Sequence, residues 1–204
     1  MTVLVTGFGP FGEVRRNPSE LIAAELDDTE VAGETVVGRV LPVSAARTPT
    51  AVREAIAELD PSLVVLLGVA PGRAALAAER VAVNVFDFQD PDNDGEQPID
   101  VPIRPGSPAA YFSTLPLRAI VQAWQEAGIP GYVSDTAGTY LCNAAMYSAL
   151  DLCTGTPAGF VHIPSLPEEA AKKNPPAPSM TLDTMIEGVR IAIQTSVAQL
   201  VATT

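Results

Sequence analysis

Residues 63–67 read Leu-Val-Val-Leu-Leu, apolar at every position and preceded by the turn signal Pro61-Ser62. A strand with one wet face alternates polar and apolar residues, because successive side chains point to opposite faces. An uninterrupted apolar run needs cover on both faces, the condition of a central strand in a parallel sheet. The flanking patterns agree. Pro18–Leu26 and Thr48–Leu59 read as helices, the second with Thr48 as its cap and Pro49 at its first position. Val3–Thr6, Thr35–Leu41, Val81–Val85, Tyr132–Ser134 and Gly159–His162 read as strands, and Leu115–Ala127, Ala144–Leu152 and Thr181–Leu200 as helices. This alternation predicts one α/β domain over residues 1–204, with a mostly parallel central sheet covered on both faces.

Two stretches interrupt the rhythm. Residues 89–106 are acidic and rich in Pro and Gly, and residues 164–180 hold prolines at 164, 167, 175, 176 and 178. Loops this long inside a compact domain commonly form functional lids or assembly surfaces.

Charge narrows the partners. The chain carries 24 Asp and Glu against 12 Lys and Arg, a formal net charge of −12. A polyanion needs basic surface to hold, so nucleic acid and anionic membranes are unfavourable partners. The longest apolar stretch, residues 63–70, is broken by Gly68 and falls far short of the roughly 20 residues needed to span a bilayer. The N-terminus has no charged segment of the signal-peptide kind. The two cysteines, Cys142 and Cys153, match neither a disulfide framework nor a zinc spacing. Together these features predict a soluble cytoplasmic protein with reduced thiols.

Gly7-Phe8-Gly9-Pro10-Phe11-Gly12 fits G-x-G-x-x-G after a strand. A dinucleotide fingerprint must open a helix at once, so that the helix start meets the pyrophosphate. Here residues 13–17 intervene before Pro18, and the next strand ends in Leu41-Pro42 rather than in an acid. The two phenylalanines suit an apolar platform better, or else a place in the core.

His162 is the only histidine. It ends a short strand, on the side of a parallel sheet where ligands gather, and imidazole is the usual acid–base group near neutral pH; a satisfied, partly buried ring is the alternative. Cys142 lies where a strand turns into a helix, and a helix start favours the thiolate; a buried apolar thiol is the alternative. Cys153 falls near a helix end, where the dipole opposes a thiolate, and reads as structural. Glu79 sits in an apolar setting just before a predicted strand. Its carboxylate can hold an imidazole or pair with Arg73 or Arg80.

Taken together, these segments resemble the pyroglutamyl peptidase I family of cysteine peptidases. The likeness runs over nearly the whole chain: Val5-Thr6-Gly7-Phe8-Gly9-Pro10-Phe11-Gly12 with Asn17-Pro18-Ser19; Leu67-Gly68, Gly72-Arg73 and Glu79-Arg80-Val81-Ala82-Val83-Asn84; Pro91-Asp92-Asn93-Asp94-Gly95; Ala137-Gly138-Thr139-Tyr140-Leu141-Cys142-Asn143; and Phe160-Val161-His162-Ile163-Pro164. The resemblance implies an α/β/α sandwich that removes an N-terminal pyroglutamyl residue from peptides. It implies a triad falling on Cys142, His162 and Glu79, with the lactam held between Phe8 and Phe11 and near Asn17. Val69, Tyr140 and Leu141 join the expected substrate contacts, and the region of Gln89 and Cys142 the expected oxyanion site. The resemblance further implies an assembly of two or four copies, and the thiol mechanism requires neither metal nor organic cofactor. Two positions depart from the family. Val69 stands where a glutamine is usual, and Gln89 where an arginine is usual. They leave room for a second reading, a member that binds capped peptides or small lactams without cleaving them.

Overall fold

The computed structural model describes residues 2–12 and 14–203. In chain order the elements are β1 (Thr2–Phe8), α1 (Pro18–Leu26), β2 (Glu30–Val31), β3 (Glu34–Leu41), α2 (Thr48–Leu59), β4 (Leu63–Val69), β5 (Leu76–Glu79), β6 (Val81–Val83), β7 (Ala110–Phe112), α3 (Leu117–Glu126), β8 (Gly131–Ser134), α4 (Leu141–Leu152), β9 (Ala158–Ile163), α5 (Pro167–Ala170) and α6 (Leu182–Thr203). A seven-stranded sheet runs in the order β2-β3-β1-β4-β9-β5-β8. Strands β3, β1, β4 and β9 pair in parallel, β5 runs antiparallel to β9, β8 is parallel to β5, and β2 forms an antiparallel edge on β3.

The apolar run of β4 does what its composition requires. Leu63, Val65 and Leu67 pack with Val3 and Val5 of β1 into a core closed by α1, α3 and α6, through Ile22, Trp124 and Val189 among others. Val64 and Leu66 pack with Leu4 and Phe160 into a second core on the opposite face, closed by α2 and α4. Burying a strand residue of this size contributes roughly 1.5–3 kcal/mol, so a sheet filled on both faces resists any slip in register.

The expected helices and strands are present, several of them lengthened at an end; the helix expected over Leu115–Ala127 is the shorter α3, Leu117–Glu126, and β2, β7 and α5 were not expected. Three further differences concern β5, β6 and α2. Leu76–Glu79 is a strand of the main sheet, although its Leu-Ala-Ala-Glu sequence has no β-branched residue. It lies between β9 and β8 because both neighbours offer hydrogen bonds, a case of tertiary context overriding propensity. Of the strand expected over Val81–Val85, only Val81–Val83 is a strand, and it pairs with β7 in a separate two-stranded ribbon rather than in the main sheet. Thr48 begins α2 rather than capping it. The cap position is Arg47, and the Thr48 hydroxyl donates to the Pro42 carbonyl at 2.7 Å, bracing the preceding turn.

The glycine motif also has its physical reason. A Cβ on Gly7 would lie 2.0 Å from the Ser19 carbonyl oxygen, so Gly7 lets β1 and the start of α1 touch. The long acidic loop is tied down rather than loose. The buried Asp92 carboxylate accepts from the backbone N–H groups of Ala45, Asp94 and Glu96. Among the described residues no helix is long and apolar enough to cross a membrane.

Candidate active site

The site forms where the C-terminal ends of β1, β4 and β9 meet the start of α4. Its centre is one row across three strands. Gly68 of β4 is aligned with His162 of β9, and His162 with Ala77 of β5. The imidazole therefore stands between the two smallest residues, and the space over Gly68 is taken by Cys142 Sγ and Phe160. Glu79 is two residues beyond Ala77, on the same face and diagonal to His162, within reach of a long side chain. Its Oε1 lies 2.7 Å from His162 Nδ1. An ionised carboxylate only accepts, so the proton sits on Nδ1 and Nε2 is left as a base.

The same Glu79 oxygen accepts from Arg73 Nη1, also at 2.7 Å. The two readings of Glu79, as holder of an imidazole and as partner of Arg73, are thus both realised. Arg80 is bound elsewhere, to Asp135. Glu79 is fully buried, and its Oε2 has no hydrogen-bond donor among the described residues.

Cys142 is the second residue of α4, which starts at Leu141, earlier than the composition suggested. The residue is half-buried, but its sulfur rests against the strand: a Cβ added to Gly68 would lie 2.6 Å from Sγ and 2.8 Å from Phe160 Cζ. Gly68 was not singled out from the sequence. The β4/β9 register together with an apolar-run glycine would have been the signal, and only the fold brings that strand under the thiol.

Burial dominates the electrostatics. It pushes the Cys142 thiol up to about 12, assisted by the Glu79 carboxylate and opposed by Arg73 and the backbone N–H at the helix start. It also holds His162 below the ordinary imidazole value, against the Glu79 hydrogen bond and charge and with the help of Arg73. The expected helix-start thiolate is therefore outweighed by desolvation. Both shifts favour the thiol and the neutral imidazole over the thiolate–imidazolium pair.

Cys142, His162 and Arg73 line a pocket of about 320 Å³ together with Phe8, Phe11, Asn17, Val69, Tyr140 and Leu141. Its walls are mostly apolar, with few polar groups, the usual character of a small-molecule site. The Asn17 amide is spent on the loop: its nitrogen donates to the Gly9 carbonyl, and its Oδ1 caps α1 through Ser19 N. It thereby holds the segment bearing both phenylalanines. Tyr140 packs against Phe88 with ring centroids 4.2 Å apart. Gln89 lies in a larger adjoining cavity and does not line the pocket containing Cys142. Cys153 is buried, its thiol pushed up to about 11 by burial alone. No metal-binding cluster of His, Cys, Asp and Glu occurs among the described residues.

The family model for pyroglutamyl peptidase matches residues 1–199. The chain belongs to the pyroglutamyl peptidase family. The pyrrolidone-carboxylate peptidase of Pyrococcus furiosus is 42% identical over 207 residues, covering 98% of this chain and 100% of the relative. That of Escherichia fergusonii is 47% identical over 198 residues, covering 96% and 92%. The solved pyrrolidone carboxyl peptidase from Thermococcus litoralis superposes with a TM-score of 0.97 at 40% identity, covering 100% of this chain and 96% of that one.

Proposed function

We propose that this chain is a cysteine peptidase that hydrolyses the amide bond after an N-terminal pyroglutamyl residue, with Cys142 as nucleophile, His162 as acid–base group and Glu79 as the residue that orients the ring. The observation that carries this reading is the hydrogen bond between Glu79 and His162 Nδ1, beside a thiol seated in an apolar pocket with space for a lactam ring.

The neutral resting pair sets the order of steps. Cys142 Sγ gives its proton to His162 Nε2 as it attacks the pyroglutamyl carbonyl, and the new C–S bond forms with that proton held on the imidazolium. Glu79 stabilises the cation at that moment. Among protein groups, the first N–H groups of α4 suit the developing oxyanion, because the helix has no side-chain cap to compete for them. The C–N bond breaks as the imidazolium protonates the leaving amine. Water then attacks the thioester, giving its proton to Nε2. The C–S bond breaks and the thiol recovers the proton. A free amino-terminal glutamate or glutamine is rejected, since its ammonium would enter an apolar pocket unpaired. Phe8 and Phe11 supply flat apolar contact to the ring, and Val69 offers the backbone groups of a strand end.

The same reading treats residues 1–204 as one domain, because a single sheet carries both cores. It places the enzyme in a reducing compartment, the cytoplasm, where the free Cys142 survives. It also has the chain work as a homo-oligomer, without nucleic-acid or membrane partners, in keeping with the excess of acidic residues.

The test is release of a fluorescent aminocoumarin from its pyroglutamyl amide by wild type, Cys142→Ala and His162→Ala. Release by wild type, lost by several orders of magnitude in both variants, is the expected result. A folded, fully reduced wild type that binds the amide without cleaving it would overturn the peptidase reading in favour of a binding protein.

A further inference from the structure

The larger cavity, about 1270 Å³, opens directly from the 320 Å³ pocket, and the two share Phe11, Pro71, Gly138 and Tyr140. The lining of the larger cavity includes the loop bearing Asp87, Gln89 and Asp90, the segment after β9 bearing Glu169, Lys172 and Lys173, and Arg15 from the loop before α1. The chain has only two lysines, and both lie here. In a molecule of net charge −12, an anionic ligand is repelled at long range and needs local cations to be held.

We propose that this cavity holds the residues that follow pyroglutamate, and that Lys172 and Lys173 take the terminal carboxylate of short substrates, pyroglutamyl peptides with two or three further residues. This rests on the peptidase reading above. A compact cavity of about 1270 Å³ is about 11 to 13 Å across, which an extended chain crosses in about three or four residues. A peptide with pyroglutamate in the small pocket runs into the cavity amine end first. The acidic loop stands at that junction: Tyr140, shared by both cavities, donates its hydroxyl to the Pro91 carbonyl at 3.3 Å, next to Asp90. The leaving group becomes an ammonium, which carboxylates there favour. Its carboxylate end is carried away from the junction, toward the opposite charge. Lys172 is paired with Glu169 at 2.8 Å, but the lysine is 60% exposed. Such surface pairs exchange readily, since they are worth little.

The experiment compares kcat/KM for pyroglutamyl-Ala-Ala-Ala as free acid and as C-terminal amide, for a ten-residue pyroglutamyl peptide in both forms, and for the pyroglutamyl aminocoumarin. Wild type and the Lys172→Gln/Lys173→Gln double variant are measured at low and high salt. The expected result is a preference for the short acid of about three- to five-fold, absent for the long pair, reduced by salt and abolished in the double variant. The uncharged aminocoumarin reports that each variant is folded and competent. Equal rates for short acid and amide, or a preference that survives in a variant still cleaving the aminocoumarin, overturn the proposal. A wild type that cleaves the aminocoumarin but shows no acid preference overturns it alone; a reduced wild type that cleaves nothing overturns the peptidase reading with it.

Discussion

Arg73 Nη1 lies 2.7 Å from Glu79 Oε1, with the guanidinium partly exposed on the pocket wall and the carboxylate fully buried behind it. Because that oxygen also binds His162 Nδ1, Arg73 acts on the imidazole through a shared acceptor. Its charge opposes a second one on the ring and helps hold His162 below its ordinary value. Arg73→Gln removes that influence, so the imidazole titrates at higher pH. The acidic limb of kcat/KM is expected to move upward, with activity lost sooner on acidification. A pH–rate profile with an unmoved acidic limb would show that Arg73 does not tune the base.

Glu79→Gln keeps an acceptor-sized group but removes the charge that stabilises the imidazolium and permits the wrong tautomer. The expected loss in kcat is on the order of 10²–10⁴, by analogy with carboxylate-to-amide changes in other triads. Steady-state kinetics with near-normal kcat would remove Glu79 from the mechanism.

Gly68→Ala tests the row that seats the thiol. The added Cβ would meet Cys142 Sγ at 2.6 Å and Phe160 Cζ at 2.8 Å, so both must shift. Overpacking of this kind costs about 1–3 kcal/mol, and misplacing a reacting atom by about 1 Å can cost about 10² in rate. A small fall in Tm with a large fall in kcat is expected. A variant with normal kcat would show that Sγ has more freedom than its contacts suggest.

The two cysteines should separate under alkylation. Cys142 is half-buried and lines a pocket, whereas Cys153 is buried in the second core. Iodoacetamide is expected to add once to the folded protein, at Cys142, with loss of activity, and a second time only after denaturation. Peptide mapping that finds Cys153 labelled first would contradict this. Because burial pushes the Cys142 thiol up to about 12, labelling should be slow at neutral pH and accelerate as pH rises.

His162 also links stability to pH. Its folded value lies below the ordinary 6.5 because of burial. Below about 6.5 the unfolded chain takes up a proton that the folded site refuses, so the unfolded state binds more protons and stability falls as the pH is lowered. The contribution is complete above the unfolded value and is lost as pH falls toward the folded one. His162→Gln should flatten that part of the stability curve, as measured by denaturant midpoints between pH 7 and 5. A parallel offset with no change in slope would rule the linkage out.

Much of this protein was legible before folding. The continuous apolar run at 63–67 required cover on both sides, and β4 is central, with separate cores above and below it. The helix read over Pro18–Leu26 is α1, and the only histidine lies next to last in a strand, as its surroundings indicated. These are local properties, set by side-chain period, cap chemistry and residue identity. Three matters were decided only by tertiary structure. Leu76–Glu79 became a strand because β9 and β8 supply its hydrogen bonds, and that pairing alone put Glu79 diagonal to His162. Gly68 came to lie under Cys142 through the β4/β9 register and the placement of α4, which no spacing along the chain encodes. The resting charge of the thiol was set by how much water the packed site excludes. The helix start argued for a thiolate and burial overruled it, because desolvation depends on neighbours from the whole fold, whereas a helix start is a property of one segment.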